Sequence, residues 1–192
     1  MPILHAIHDH FADRPTDFEH LAAMLWERSD RRVAPVDVTR PSRDGGRDGV
    51  GHYLIGPKSD PIRLEFALEA KCYTPGMGVG VKQTSRLISR IKHREFGVLV
   101  TTSHVNDQAY QEIREDQHPI VILSGVDVVD ILSRMGHGTL DRVQEFLDAE
   151  FPVLEDEAPS TEPRLPVSSP LEVEIQEPLD HSHTAEPRAA ER

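Results

Sequence analysis

The stretch Ile62 to Lys71 reads IRLEFALEAK, and its pattern decides the fold. Ile62, Leu64, Phe66, Leu68 and Ala70 alternate with Arg63, Glu65, Ala67, Glu69 and Lys71. Successive side chains of a strand point to opposite faces, so this period of two predicts a half-buried strand with Glu69 and Lys71 on its polar face. Upstream, Val50-Gly-His-Tyr-Leu-Ile55 predicts a second short strand, and the turn formers of Gly56-Pro-Lys-Ser-Asp-Pro61 separate the two. If Ile55 pairs with Ile62, antiparallel pairing sets residue 48 opposite residue 69. A slip of two residues would keep the faces, but in this register Asp48 and Glu69 stand roughly 5 Å apart at their β-carbons. Like charges that close repel unless a cation lies between them. Two carboxylates with a nearby ammonium suit a hard divalent metal, plus a positive group to steady a phosphate or an attacking water. Taken alone, the same residues also fit a solvated strand face with Asp48 in a turn.

Before the hairpin, Pro15-Thr-Asp-Phe-Glu19 opens a helix whose apolar stripe is Phe18, Leu21, Ala22, Leu25 and Trp26. Thr16 and Glu19 have capping-box spacing. His5, His8 and His10 lie near the terminus and are read as solvent-facing. Arg32 to Thr39 predicts a strand that Pro35 demotes toward an edge, and a glycine-rich, basic loop follows from Arg40 to Arg47. After the hairpin, a helix over 80–93 turns Thr84, Leu87, Ile88 and Ile91 inward and sets Arg86 and Arg90 on another face. Phe96 to Thr101 and Pro119 to Leu123 are continuous apolar runs, expected of strands covered on both sides. A helix over 104–116 makes the right-handed crossover between them. Helices over 126–135 and 139–151 close the sequence of elements, the former stopping at Gly136-His-Gly138.

The formal charge of −12 is unevenly spread. From Pro152 onward there are 10 acidic and 3 basic residues, seven of the fifteen prolines and no aromatic residue. That composition cannot bury enough apolar surface to offset its conformational entropy, so residues 152–192 are expected to be a disordered tail behind a domain over 1–151. The acidic balance differs from the basic footprint of a dedicated DNA-binding protein, yet cations are locally concentrated. Lys82, Arg86, Arg90, Lys92 and Arg94 fall in one run without an acidic residue, and Arg28 to Arg47 holds six arginines against three aspartates. One cysteine, Cys72, excludes a disulfide framework and a thiolate metal site built from this chain alone, and is read as a small strand residue. No apolar run approaches the ~20 residues of a membrane span, and no signal peptide is visible. A cytoplasmic protein is expected.

The order helix, strand, hairpin with D…E-x-K, basic helix, buried strand, helix, buried strand resembles the PD-(D/E)XK nuclease superfamily. More narrowly, residues 15–136 resemble the Mrr-type restriction endonuclease catalytic domain. The resemblance rests on Phe18-Glu19, Gly45-Gly-Arg-Asp48-Gly, Glu69-Ala-Lys71, Gly97-Val-Leu-Val-Thr-Thr-Ser103, Ala109-Tyr110 and Ile120-Val-Ile-Leu-Ser-Gly125. It implies an α/β fold with an αβββαβ core, a mixed central sheet flanked by helices. It also implies that Asp48 and Glu69 hold Mg²⁺, with Mn²⁺ as a substitute, and that Lys71 positions the water or stabilises charge on the phosphate. Glu19 matches a helix glutamate that in some relatives reaches toward the metal. The chain departs from the pattern in three places: arginine precedes Asp48, glutamate stands where E/Q-x-K proteins of this type commonly carry glutamine, and Ser85 falls where the following helix often has glutamine, with Gln83 two residues earlier.

The function this implies is metal-dependent cleavage of double-stranded DNA, as the module of a restriction or modification-dependent defence system. Lys82, Arg86 and Arg90 would contact phosphates, which position DNA without reading its sequence. A homodimer or a separate target-recognition subunit is expected, since both strands must be cut. A structure-selective repair nuclease or junction resolvase is the alternative within the fold, and a non-cleaving DNA-binding subunit the alternative outside catalysis.

Overall fold

Ile55 pairs with Ile62 across the turn, and the ladder continues through Tyr53 with Leu64 and Gly51 with Phe66 to Gly49 with Leu68. The two strands are β2 (Gly49–Ile55) and β3 (Ile62–Lys71). Gly56 has φ +107°, a left-handed conformation that a β-carbon would strain, and it opens the turn. Gly51 lies under the buried Phe66 ring, where a β-carbon would stand 2.6 Å from Cζ. The regular ladder ends at Gly49 with Leu68: the amide of Asp48 donates to Leu68 O at 3.2 Å, one residue out of step, so the expected pairing of Asp48 with Glu69 does not form.

The computed structural model describes residues 2–39, 48–91 and 94–153. The loop Arg40 to Arg47, Lys92 and the expected tail beyond Val153 lie outside the described residues. Two short strands complete the chain's parallel half, β4 (Phe96–Thr101) and β5 (Ile120–Leu123), and β1 (Asp37–Val38) lies at the opposite edge. Among the described residues these form one five-stranded sheet in the order β1-β2-β3-β4-β5. β2 is antiparallel to β1 and β3, whereas β3, β4 and β5 run parallel.

Both faces of the sheet are covered. On one lie α1 (Pro2–Phe11), α2 (Pro15–Ser29), α5 (Gly125–Arg134) and α6 (Leu140–Glu150), packed with Phe66, Leu68, Ala70, Val98 and Val100. On the other, α3 (Val81–Ile91) and α4 (Asp107–Glu115) bury Leu87, Ile91 and Ile113 against Ala67 and Leu99. The expected α/β architecture with a mixed, helix-flanked sheet is the one observed. No helix among the described residues is long and apolar enough to cross a membrane.

Several local expectations are corrected. β3 is not half-buried along its length: every residue from Phe66 to Ala70 is buried, because β3 is the central strand and α3 covers its second face. β5 is an edge strand whose two faces are both packed, Leu123 in one core and Ile120 in the other, and only Val121, 37% exposed, escapes the expected cover. The strand expected over 32–39 reduces to Asp37–Val38 and a bridge from Val33 to Tyr53, with Pro35 between them. The histidine-bearing N-terminus is a helix that buries Leu4, Ile7 and Phe11. On it His5 is exposed, but His8 and His10 are partly buried, bonded to Thr74 Oγ1 at 3.2 Å and Phe151 O at 2.8 Å. The Thr16–Glu19 capping box does not form: Pro15 occupies the first helical position, so Arg14 is the N-cap and Thr16 falls inside the first turn.

Candidate active site

The hairpin and the end of β3 deliver Asp48, Glu69 and Lys71 to one place. Asp48 Oδ2 accepts the Ala70 N–H at 2.7 Å, a bond that fixes the aspartate against the strand carrying the other two residues. Lys71 Nζ lies 2.7 Å from Glu69 Oε1 and 3.6 Å from Asp48 Oδ2, and donates to Ala70 O at 2.8 Å. The strand end is tied in turn to β4. Thr101 Oγ1 donates to Lys71 O at 2.9 Å, and Thr102 Oγ1 accepts the Tyr73 N–H at 2.8 Å. The Thr-Thr pair of the sequence motif thus holds the backbone on which Lys71 sits.

Burial and the charge of Glu69 raise the Asp48 carboxyl above its ordinary range, although Lys71, the Ala70 amide and Arg90 act the other way. Glu19 projects from α2 into the same cleft of about 210 Å³, which Phe11, Pro15, Phe18, Asp48 and Lys71 also line. Desolvation, then the charge of Asp48, pushes its pKa up to about 7. Three carboxylates therefore meet around one ammonium, and two of them resist ionisation.

The oxygen donors suit a hard cation. Glu69 Oε1 is buried, and its contact with Lys71 is an ion pair without hydrogen-bond alignment. Glu69 Oε1, Asp48 Oδ2 and Ala70 O surround the lysine ammonium. Oxygen ligands of this kind are those Mg²⁺ accepts, usually through one or two carboxylates. Among the described residues no cluster of three or more His, Cys, Asp or Glu side chains is arranged for a metal, so a cation here would rely on two carboxylates and backbone oxygen. Cys72 takes no part as a nucleophile: burial pushes its thiol up to about 11.

The three cations expected on phosphate are divided by the fold. Lys82 and Arg86 are exposed on α3, while Arg90 points inward and donates to Glu69 Oε2. Reading Arg86 and Arg90 as one face missed this pairing. The signal was available in the spacing, since position 90 lies next to the buried Ile91 and three residues beyond the buried Leu87. Gln83 donates to Tyr73 OH at 2.9 Å, and Ser85 is exposed.

Known proteins resemble this chain in sequence and fold. The chain matches the Mrr catalytic-domain family of restriction endonucleases over residues 12–132. Its fold is similar to that of the DNA modification-dependent restriction endonuclease AspBHI, with a TM-score of 0.71 and 47% identity over 77% of this chain and 38% of that one. It is also similar to the MspJI restriction endonuclease in complex with a 27-mer oligonucleotide, with a TM-score of 0.67 and 27% identity over 76% of this chain and 34% of that one. The chain thus matches little more than a third of the length of either enzyme. No curated protein matches it significantly. With the family matched across the D…E-x-K hairpin and its supporting helices, the chain belongs to the Mrr-type catalytic domain family of restriction endonucleases.

Proposed function

We propose that this chain is a divalent-metal-dependent DNA endonuclease, using Mg²⁺ with Mn²⁺ as a substitute, and that it is the cleavage module of a modification-dependent restriction system in the cytoplasm. The observation that carries this reading is the convergence of Asp48, Glu69 and Lys71 at the end of β3. The dependence on modification follows the description of AspBHI, and double-stranded DNA as substrate follows the family and the oligonucleotide complex of MspJI.

Hydrolysis of a phosphodiester requires a water in line with the leaving oxygen and compensation of the charge that develops on phosphorus-bound oxygens. Asp48 and Glu69 would hold the cation, which supplies Lewis acidity and makes a water nucleophilic near neutral pH. Lys71 acts from the same strand, placing its ammonium where charge develops and keeping the attacking water oriented. Thr101 and the Asp48–Ala70 bond fix the backbone that aims it. Lys82 and Arg86 engage phosphates flanking the cut. Glu19, the third carboxylate of the cleft, adds negative charge for the cation when it is ionised.

Because both strands of the duplex must be cut, the working assembly is a homodimer or a complex with a separate target-recognition subunit. The test is incubation of the protein with supercoiled plasmid, unmodified or methylated, in Mg²⁺, Mn²⁺, Ca²⁺ or EDTA. Nicked or linear product in Mg²⁺ and Mn²⁺, and none in Ca²⁺ or EDTA, supports the reading. Cleavage in EDTA contradicts it.

A further inference from the structure

Arg90 is the second cation on Glu69. Leu87 and Ile91 of α3 pack with Ala67 and Leu99, and Glu69 shares its face of β3 with Ala67 while pairing with Leu99. That packing leaves residue 90 beside the carboxylate. The Arg90 side chain is only 10% exposed and that of Glu69 1%, so the pair is withdrawn from water. Arg90 Nη1 takes Oε2, and Lys71 faces the other oxygen, Oε1.

We infer that Arg90 is the resident counter-ion of Glu69, a positioning residue that holds the buried carboxylate in place before a divalent cation arrives and weakens the grip on that cation once it binds. The inference rests on the metal reading of the site. A buried carboxylate stripped of one partner strongly destabilises a fold, so in the metal-free protein Arg90 keeps the end of β3 and α3 together. With Oε2 occupied, Glu69 presents Oε1 toward Lys71 and Asp48, the side on which the other oxygen donors lie. A guanidinium and a dication that share one carboxylate repel each other. Arg90 therefore trades metal affinity for a site that is formed without metal. Lys82 and Arg86, exposed on the same helix, have no such role.

The experiment is a Mn²⁺ titration of the full chain, read by thermal midpoint and by calorimetric binding, without DNA. It compares wild type, Arg90→Met, the milder Arg90→Gln, Arg90→Lys and the pair Glu69→Gln with Arg90→Met. Arg90→Met is expected to lower the metal-free midpoint by roughly 6–12 °C. Saturating Mn²⁺ should recover more of the midpoint in Arg90→Met than it adds to wild type, with binding at least about fivefold tighter. Arg90→Gln should follow the same direction if Arg90→Met does not fold. Arg90→Lys should stay near wild type, and Glu69→Gln should relieve the loss caused by Arg90→Met, which a purely packing role would not allow. A midpoint loss in Arg90→Met and Arg90→Gln that is equal with and without Mn²⁺ overturns the inference, as does weaker Mn²⁺ binding by both. If wild type itself shows no response to Mn²⁺, the metal reading fails and the inference falls with it.

Discussion

Asp48 Oδ2 accepts the amide of Ala70 at 2.7 Å, so the aspartate of one strand is bonded to the residue between Glu69 and Lys71 on the next. This bond sets the separation of the two carboxylates and makes Asp48 structural as well as chemical. Asp48→Ala leaves a buried amide without its acceptor, and should destabilise the protein by about 1–3 kcal/mol. Asp48→Asn keeps an acceptor for Ala70 and should retain most of the stability while losing charge for the cation. Thermal unfolding together with Mn²⁺ calorimetry separates the two effects. Equal stability of Asp48→Ala and wild type would show that the bond carries little.

Glu19 gives the protein a pH signature. Its carboxyl is raised from 4.5 to about 7, by burial first and then by Asp48. Between those values the folded state binds a proton that the unfolded chain has released, so this group makes stability fall as pH rises through the window. Glu19→Gln removes the effect. The variant should gain stability relative to wild type as pH climbs from 4.5 to 7, and the gain should level off above that range. Urea unfolding of both proteins at a series of pH values measures it, and a difference independent of pH would place Glu19 outside the electrostatic cluster.

Lys82 and Arg86 lie exposed on α3, one turn apart, in the arrangement expected of contacts to a phosphate backbone. Each substitution to alanine should weaken binding to all DNA sequences alike and lower the slope of log affinity against log salt by about one. Fluorescence anisotropy in Ca²⁺ across a salt series reads both quantities. An unchanged slope would move the DNA path away from α3.

The hairpin could be read from the sequence because its information is local. The alternation from Ile62 to Ala70 and the turn formers from Gly56 to Pro61 specify the Ile55–Ile62 register, which runs to Gly49 with Leu68 and so brings Asp48 beside the end of β3. The burial of Glu69 could not be read this way. It depends on β4 pairing beside it and on α3 closing over it, both set by packing between distant segments. The same packing turns Arg90 onto Glu69 and away from Arg86, although the two arginines are neighbours on the helix. α1 was hidden for another reason. Leu4, Ile7 and Phe11 form a thin apolar stripe among three histidines, and the stripe has meaning only against α5 and α6. The capping box failed at Thr16 because Pro15 sets the helix start two residues earlier than the cap required.

Lys71 is the residue on which the proposed chemistry depends, and its replacement by alanine is the most direct test. The ammonium lies within 2.7 Å of Glu69 and 3.6 Å of Asp48, where charge would develop during hydrolysis. Loss of one group that stabilises such charge typically lowers the rate by about 10²–10³-fold. The measurement is the rate of Mg²⁺-dependent nicking of supercoiled plasmid by Lys71→Ala beside wild type, with DNA affinity determined in Ca²⁺. A loss of at least about a hundredfold in rate is expected, with affinity within a few-fold of wild type. Cleavage by Lys71→Ala at the wild-type rate would contradict it, and would place the chemistry away from the end of β3.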